Sequence, residues 1–282
     1  MQFFHDMGQN PFLATGLVAG LLASLACGVI GPYVITRRIV FLSGAIAHMA
    51  VGGVGAALFL ATVSPAWFGW VRPVHGAILA ALAGAVIIGH IHQRVAERMD
   101  TLIGALWAIG MALGILLVKF TPGYHTELMS YLFGNLVFVS WADVRLMLFL
   151  DAVILGTVLV FHKRFLAVCL DQEQAELQGV PLLGTNVALL CVVALTVIVL
   201  TQVVGLILVI ALLSLPAATA AHRASRMAPM IAASTGICAV LTTVPRIAVY
   251  GTRINPESAI VLSAAALYLA SIAVHRVTHR TR

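Results

Sequence analysis

The stretch GTNVALLCVVALTVIVLTQVVGLILVIALLSLPAATAA runs from Gly184 to Ala221 without one charged side chain. A helix of that length on a soluble protein would show a polar residue every third or fourth position, where it meets water. A strand of a membrane barrel would alternate apolar and polar residues instead. Neither pattern is present. A spanning helix takes roughly 20 apolar residues. The stretch therefore holds one long helix or two, broken near Thr201-Gln202.

Similar continuous apolar runs fall at 12–35, 39–62, 74–91, 102–118, 146–161, 229–245 and 257–274. With the central stretch counted once or twice, they give eight or nine spans. The fold expected is an all-α, polytopic transmembrane bundle forming one domain over residues 1–282. Composition points the same way. Hydrophobic residues make up 61% of the chain and charged residues 9%, with a mean hydropathy of +1.06. Soluble domains carry about 25% charged residues, so this surface must face lipid.

The net charge of +6 would suggest nucleic acid in a soluble protein. Here it reads as basic residues at cytoplasmic helix ends, and no nucleic-acid partner is expected. Arg37, Arg38, Arg94, Arg98, Lys163, Arg164, Arg223, Arg226, Arg276, Arg280 and Arg282 fall in one set of loops. Arg72, Lys119, Arg145, Arg246 and Arg253 fall in the opposite, poorer set. The richer set is assigned to the cytoplasm, which places the C-terminal tail inside an inner (plasma) membrane. Leu22–Cys27 faintly resembles a lipoprotein cleavage site. Residues 1–12 lack the basic start of a signal peptide, so a retained helix is expected. The four cysteines form no CxxC pair and read as small hydrophobes.

Two regions stand out from the apolar background. In the loop HKRFLAVCLDQEQAELQGVP (162–181), Asp171 to Gln178 is polar and helix-prone. Gly179 suits a helix C-cap, with Pro181 beyond. A solvated connector and a docking helix both fit that composition. His48 lies well inside the run 39–62. Ionisable residues within spans are costly and default to a functional reading. Gly44, His48 and Gly52 share one helix face at spacing i, i+4, i+8, leaving room there for an ion and a closely packed helix. A neutral imidazole is a good ligand for zinc and related ions. Packing against a neighbouring helix is the alternative. Asp151 lies within 146–161, where structural pairing, with Arg145 or another helix, is favoured over a role as pathway ligand. His5, Asp6, His75, His125, Glu127 and Asp143 are scattered metal-type residues without the spacing of a structural zinc site.

The chain has no GK[ST] phosphate cradle and no HExxH. It is not expected to be an enzyme. Any ATP hydrolysis belongs to another subunit.

Five segments, in order, resemble the ABC-3 family of metal permeases, the membrane subunits of bacterial zinc and manganese ABC importers. They are YVITRRIVFLSGAIAHMAVGGVGA (33–56), DTLIGALWAIGMALGILLV (100–118), SYLFGN (130–135), DQEQAELQGV (171–180) and GLILVIALLSLPAATA (205–220). The resemblance implies a permease that works as a homodimer with an ATP-binding cassette subunit and an extracytoplasmic metal-binding protein. It implies that Asp171, Glu173, Ala175, Gly179 and Val180 form the loop coupling to the ATPase. It implies that His48 contacts the transported metal, with Gly44 and Gly52 lining the path. Many members carry an acid four residues before this histidine, where this chain has Gly44. That departure tilts the expected cargo from manganese toward zinc, since hard oxygen ligands suit manganese; manganese and iron stay as the alternative cargoes. It also leaves room for another route, through Asp151 or His222. A secondary transporter would show inverted repeats and intramembrane acids on several helices, which the sequence lacks.

Overall fold

The computed structural model describes residues 6, 11–94, 99–121, 139–252 and 254–280; at 11, 92–94, 99–100, 202–204, 206–208 and 278–280 only the backbone is described. Residues 122–138, with the SYLFGN segment, lie outside these residues.

The elements are α1 (Pro11–Thr36), α2 (Val40–Val63), α3 (Pro65–Phe68), α4 (Pro73–Arg94), α5 (Met99–Lys119), α6 (Trp141–Leu170), α7 (Gln172–Leu177), α8 (Leu182–Ala221), α9 (Met227–Ala248) and α10 (Pro256–Arg280). Among the described residues there are 8 helices long and apolar enough to cross a membrane, and a shorter apolar helix at Val209–Ala221. Lipid offers backbone groups no partners, so helices satisfy them internally. Large apolar side chains such as Leu79, Leu159, Val160 and Leu262 are left on the outside of the bundle. Small residues and Tyr33, Ile46, Phe165 and Ile198 fill the inside.

The doubtful central stretch has a definite answer. Its helical run is broken at Gly205, with φ 72° and ψ 171°, a conformation open essentially to glycine alone. The chain doubles back there. Asn186 Oδ1 accepts from Arg37 Nη2 at 3.2 Å, at the end of α1. A methyl group on Gly31 of α1 would lie 2.6 Å from the Leu213 carbonyl oxygen. A straight helix would separate Asn186 from Leu213 by about 40 Å, whereas Gly31 and Arg37 are only about 9 Å apart along α1. Cys27 contacts the Leu212 carbonyl, and Gly31 also faces Ala217. The second half of α8 therefore runs parallel to α1. It ends on the side where the first half began.

Helix α2 sits between α4 and α5 at very short range. A methyl group on Gly53 would meet the Gly76 carbonyl oxygen at 2.1 Å. On the other face, one on Gly52 would meet the Gly110 oxygen at 2.9 Å. Small residues allow this approach, and dispersion and packing hold it in lipid.

Candidate functional site

His48 lies in α2, one turn beyond Gly44. Its Nδ1 is 2.8 Å from the Gly44 carbonyl oxygen. A carbonyl can only accept, so Nδ1 carries the proton and the neutral ring keeps its lone pair on Nε2. Ligating histidines are commonly held this way, by the nitrogen that does not bind metal. Trp107 of α5 stacks on the imidazole, with ring centroids 4.1 Å apart and planes 29° apart. The residue is 9% exposed.

The glycine face read from the sequence is covered by α5 of the same chain. A methyl group on Gly44 would lie 3.0 Å from both Trp107 Cζ3 and Ile210 Cδ1. The small residues at 44 and 52 set how closely α5 and the returning half of α8 approach His48. Trp107 was legible only as one apolar residue in a spanning run.

Asp151 is buried in α6, and neither of its carboxylate oxygens has a hydrogen-bond partner among the described residues. The structural pairing expected, with Arg145 or with a residue on another helix, is not formed among the described residues. Arg145 lies six positions earlier, on a different face of the same helix. His222 follows α8, and its Nδ1 is 2.8 Å from Ser271 Oγ of α10. Its ring stacks on Tyr268 and His275 at centroid distances of 5.9 and 5.1 Å. This cluster joins α8 to α10. Asp143 is engaged in a capping box at the start of α6, where its Oδ2 accepts from Ser140 N at 3.0 Å. Among the described residues no group of three or more His, Cys, Asp or Glu side chains is placed to hold a metal ion. His5, His125 and Glu127 lie outside the described residues.

The polar loop forms a capped helix. Asp171 Oδ1 accepts from Gln174 N at 3.1 Å and starts α7. At its end, Gly179 N donates to Glu176 O (2.9 Å) and Val180 N to Ala175 O (3.0 Å), with Gly179 at φ 77°. This is a Schellman closure. Ala175 is buried, while Asp171, Glu173 and Gly179 are exposed and Leu177 is 89% exposed. An open groove of about 250 Å³ lies between α6 and α7, lined by Lys163, Leu166, Leu170 and Gln174 among others.

A second polar cluster was missed in the sequence, where Arg37 counted only as a sidedness charge. Arg37 reaches Val168 O of α6 through Nη1 (3.2 Å) as well as Asn186 of α8. With the Gln172 amide oxygen turned toward them, that oxygen accepts from Arg37 and from Asn186 Nδ2 (3.1 Å). Burial lowers the Arg37 pKa from its usual value.

The chain is 38% identical over 221 residues to the "probable metal transport system membrane protein" of Chlamydia trachomatis, covering 78% of this chain and 74% of that one. It is 28% identical to the manganese transport system membrane protein MntC of Halalkalibacterium halodurans, over 94% of this chain and 88% of the relative. Among solved structures, PsaBC from Streptococcus pneumoniae in complex with Fab matches with TM-score 0.84 at 28% identity, covering 96% of this chain and 94% of that one. The profile of the ABC 3 transport family matches residues 9–275, and the chain belongs to that family.

Proposed function

We propose that this chain is the membrane-spanning permease subunit of an ATP-driven importer of a divalent transition metal, acting as one permease domain over residues 1–282. The observation that carries the reading is the match to the manganese transport protein MntC over 94% of this chain. Two copies frame the pathway. A separate ATP-binding subunit docks at α7, and an extracytoplasmic protein delivers the metal. The loops rich in arginine and lysine, the α7 loop included, face the cytoplasm of a bacterial inner membrane.

His48 offers Nε2 to the ion from each copy, with water completing the shell. Few ligands suit a pathway, because the ion has to leave. Gly44 and Gly52 hold the helices close at this point. Two cargo readings have specific support. Gly44 supplies no carboxylate beside the imidazole, which favours zinc. The MntC relative favours manganese. Asp151 and His222 are the alternative contact points.

The test is metal-stimulated ATP hydrolysis and uptake by the reconstituted permease, ATPase and binding protein across a panel of metals. Stimulation by zinc or by manganese decides the cargo. Uptake that proceeds without the ATPase would point to a secondary transporter and sink the reading.

A further inference from the structure

We infer that Arg37 is a positioning residue that ties the coupling helix α7 to α1 and α8, so that a displacement of α7 is carried into the helices around His48. The inference rests on the reading of α7 as the ATPase docking helix.

Helix α7 is joined to the chain at Leu170-Asp171 before it and at residues 178–181 after it, that is, to α6 and α8. It has no covalent route to α1. Arg37 supplies one. Its guanidinium reaches Val168 O in the last turn of α6 and Asn186 in the first turns of α8, and, with the Gln172 amide oxygen turned toward it, the first residue of α7 as well. A simple helix C-cap needs one or two carbonyl contacts from a basic side chain. Here the planar fork is used in different directions, which a lysine ammonium cannot reproduce. Asn186 Nδ2 closes the set by donating to the same Gln172 oxygen.

The next links are packing contacts. One turn and a half before Arg37, Gly31 lies against the Leu213 carbonyl and Ala217 of the returning half of α8. Ile210 of that half lies against Gly44, whose carbonyl holds the His48 ring. Close-packed contacts of this kind shift together because dense interiors do not deform freely. Tyr33 reinforces the same end of α1, with its hydroxyl 2.5 Å from His162 Nδ1 of α6. A push on α7 therefore reaches α1 and the short half of α8 together, rather than α6 and the first half of α8 alone.

The test uses the full complex in proteoliposomes, with radioactive manganese and zinc as probes. Docking is checked first, by cross-linking a Leu177→Cys permease to the ATPase. No cross-link sinks the docking reading, and this inference with it. With docking intact, Arg37→Gln is expected to keep ATPase binding and hydrolysis but to lower the metal moved per ATP by about tenfold or more, the scale of losing hydrogen bonds to a charged group. Arg37→Lys should recover part of that ratio, and Gln172→Glu, which offers the guanidinium a carboxylate, should keep it. An unchanged ratio in Arg37→Gln with docking intact overturns the inference alone. Should Arg37→Gln fail to insert, Asn186→Ala and Gln172→Ala remove the same contacts from the other side, and unchanged ratios in both overturn it.

Discussion

The imidazole of His48 lies against the indole of Trp107, from the neighbouring helix, at a centroid distance of 4.1 Å. The stack and the Gly44 carbonyl together fix which way the ring points. If Nε2 meets the metal, His48→Ala should abolish uptake while membrane level and ATPase binding hold. Trp107→Leu leaves the ligand but loosens it. A stack is worth about 0.5–1.5 kcal/mol, so uptake should fall by up to roughly tenfold. An imidazole must be neutral to ligate, and uptake should therefore decline as the outer solution is acidified. Radioactive zinc and manganese uptake at matched expression is the measurement. Wild-type rates in His48→Ala would reduce the residue to packing.

The reversal at Gly205 makes a topological prediction. Gln174→Cys and Arg223→Cys should label from the same side, only after spheroplasts are opened to an impermeant thiol reagent. Gly123→Cys should label in intact spheroplasts. A straight α8 would place residue 223 opposite residue 174, so labelling of Arg223→Cys together with Gly123→Cys would refute the double-back.

Two glycines should respond oppositely to alanine. At Gly53 the new methyl would sit 2.1 Å from the backbone oxygen of Gly76, which cannot step aside. Overpacking of this kind costs about 1–3 kcal/mol. At Gly104 no described residue beyond its own stretch of helix lies within 4 Å of the new methyl, and helix propensity alone favours alanine by up to about 1 kcal/mol. Thermal unfolding of the purified protein in detergent should show a lower midpoint for Gly53→Ala and an equal or higher one for Gly104→Ala.

A pH effect is expected outside the spans. Tyr250 Oη donates to Asp6 Oδ2 at 2.9 Å. That bond, followed by burial, raises the phenol pKa above its ordinary value of about 10. The neutral phenol is the form the fold favours. Its contribution is thus complete at neutral pH and is lost as pH rises through the raised value. In an alkaline absorbance titration, Asp6→Asn should shift one tyrosine step to lower pH, and Tyr250→Phe should remove that step. An Asp6→Asn curve superposing on wild type would rule the bond out.

Most of the helices could be read from hydropathy, because lipid demands long apolar runs. The expected run 146–161 became Trp141–Leu170, and the reason is local. Ser140 and Asp143 cap the helix at one end, and at the other it continues through His162, Lys163 and Arg164, polar residues that hydropathy counts as loop. Gly179 as the stop of a short helix was legible, since turn chemistry is local. Whether the central stretch crossed once or turned back was not, because Gly205 looks like any glycine in an apolar run until its neighbours α1 and α2 are known. The same limit hid Trp107 and the Arg37 junction. Both depend on residues far apart in sequence meeting in space, and periodicity along one helix carries no such information.

The short half of α8 also bears on how the protein enters the membrane. Val209–Ala221 is about 20 Å long, against a hydrocarbon layer of about 30 Å. It is too short to be threaded across as an independent unit. It must go in as the trailing arm of a hairpin, behind residues 182–201, and find its seat afterwards. That seat is already made: Cys27 and Gly31, which it touches, leave the ribosome long before residue 209. Helix α1, synthesised well before residue 209, therefore acts as the template on which this later segment docks, and damage to the Gly31 surface should appear as a biogenesis defect around Val209–Ala221.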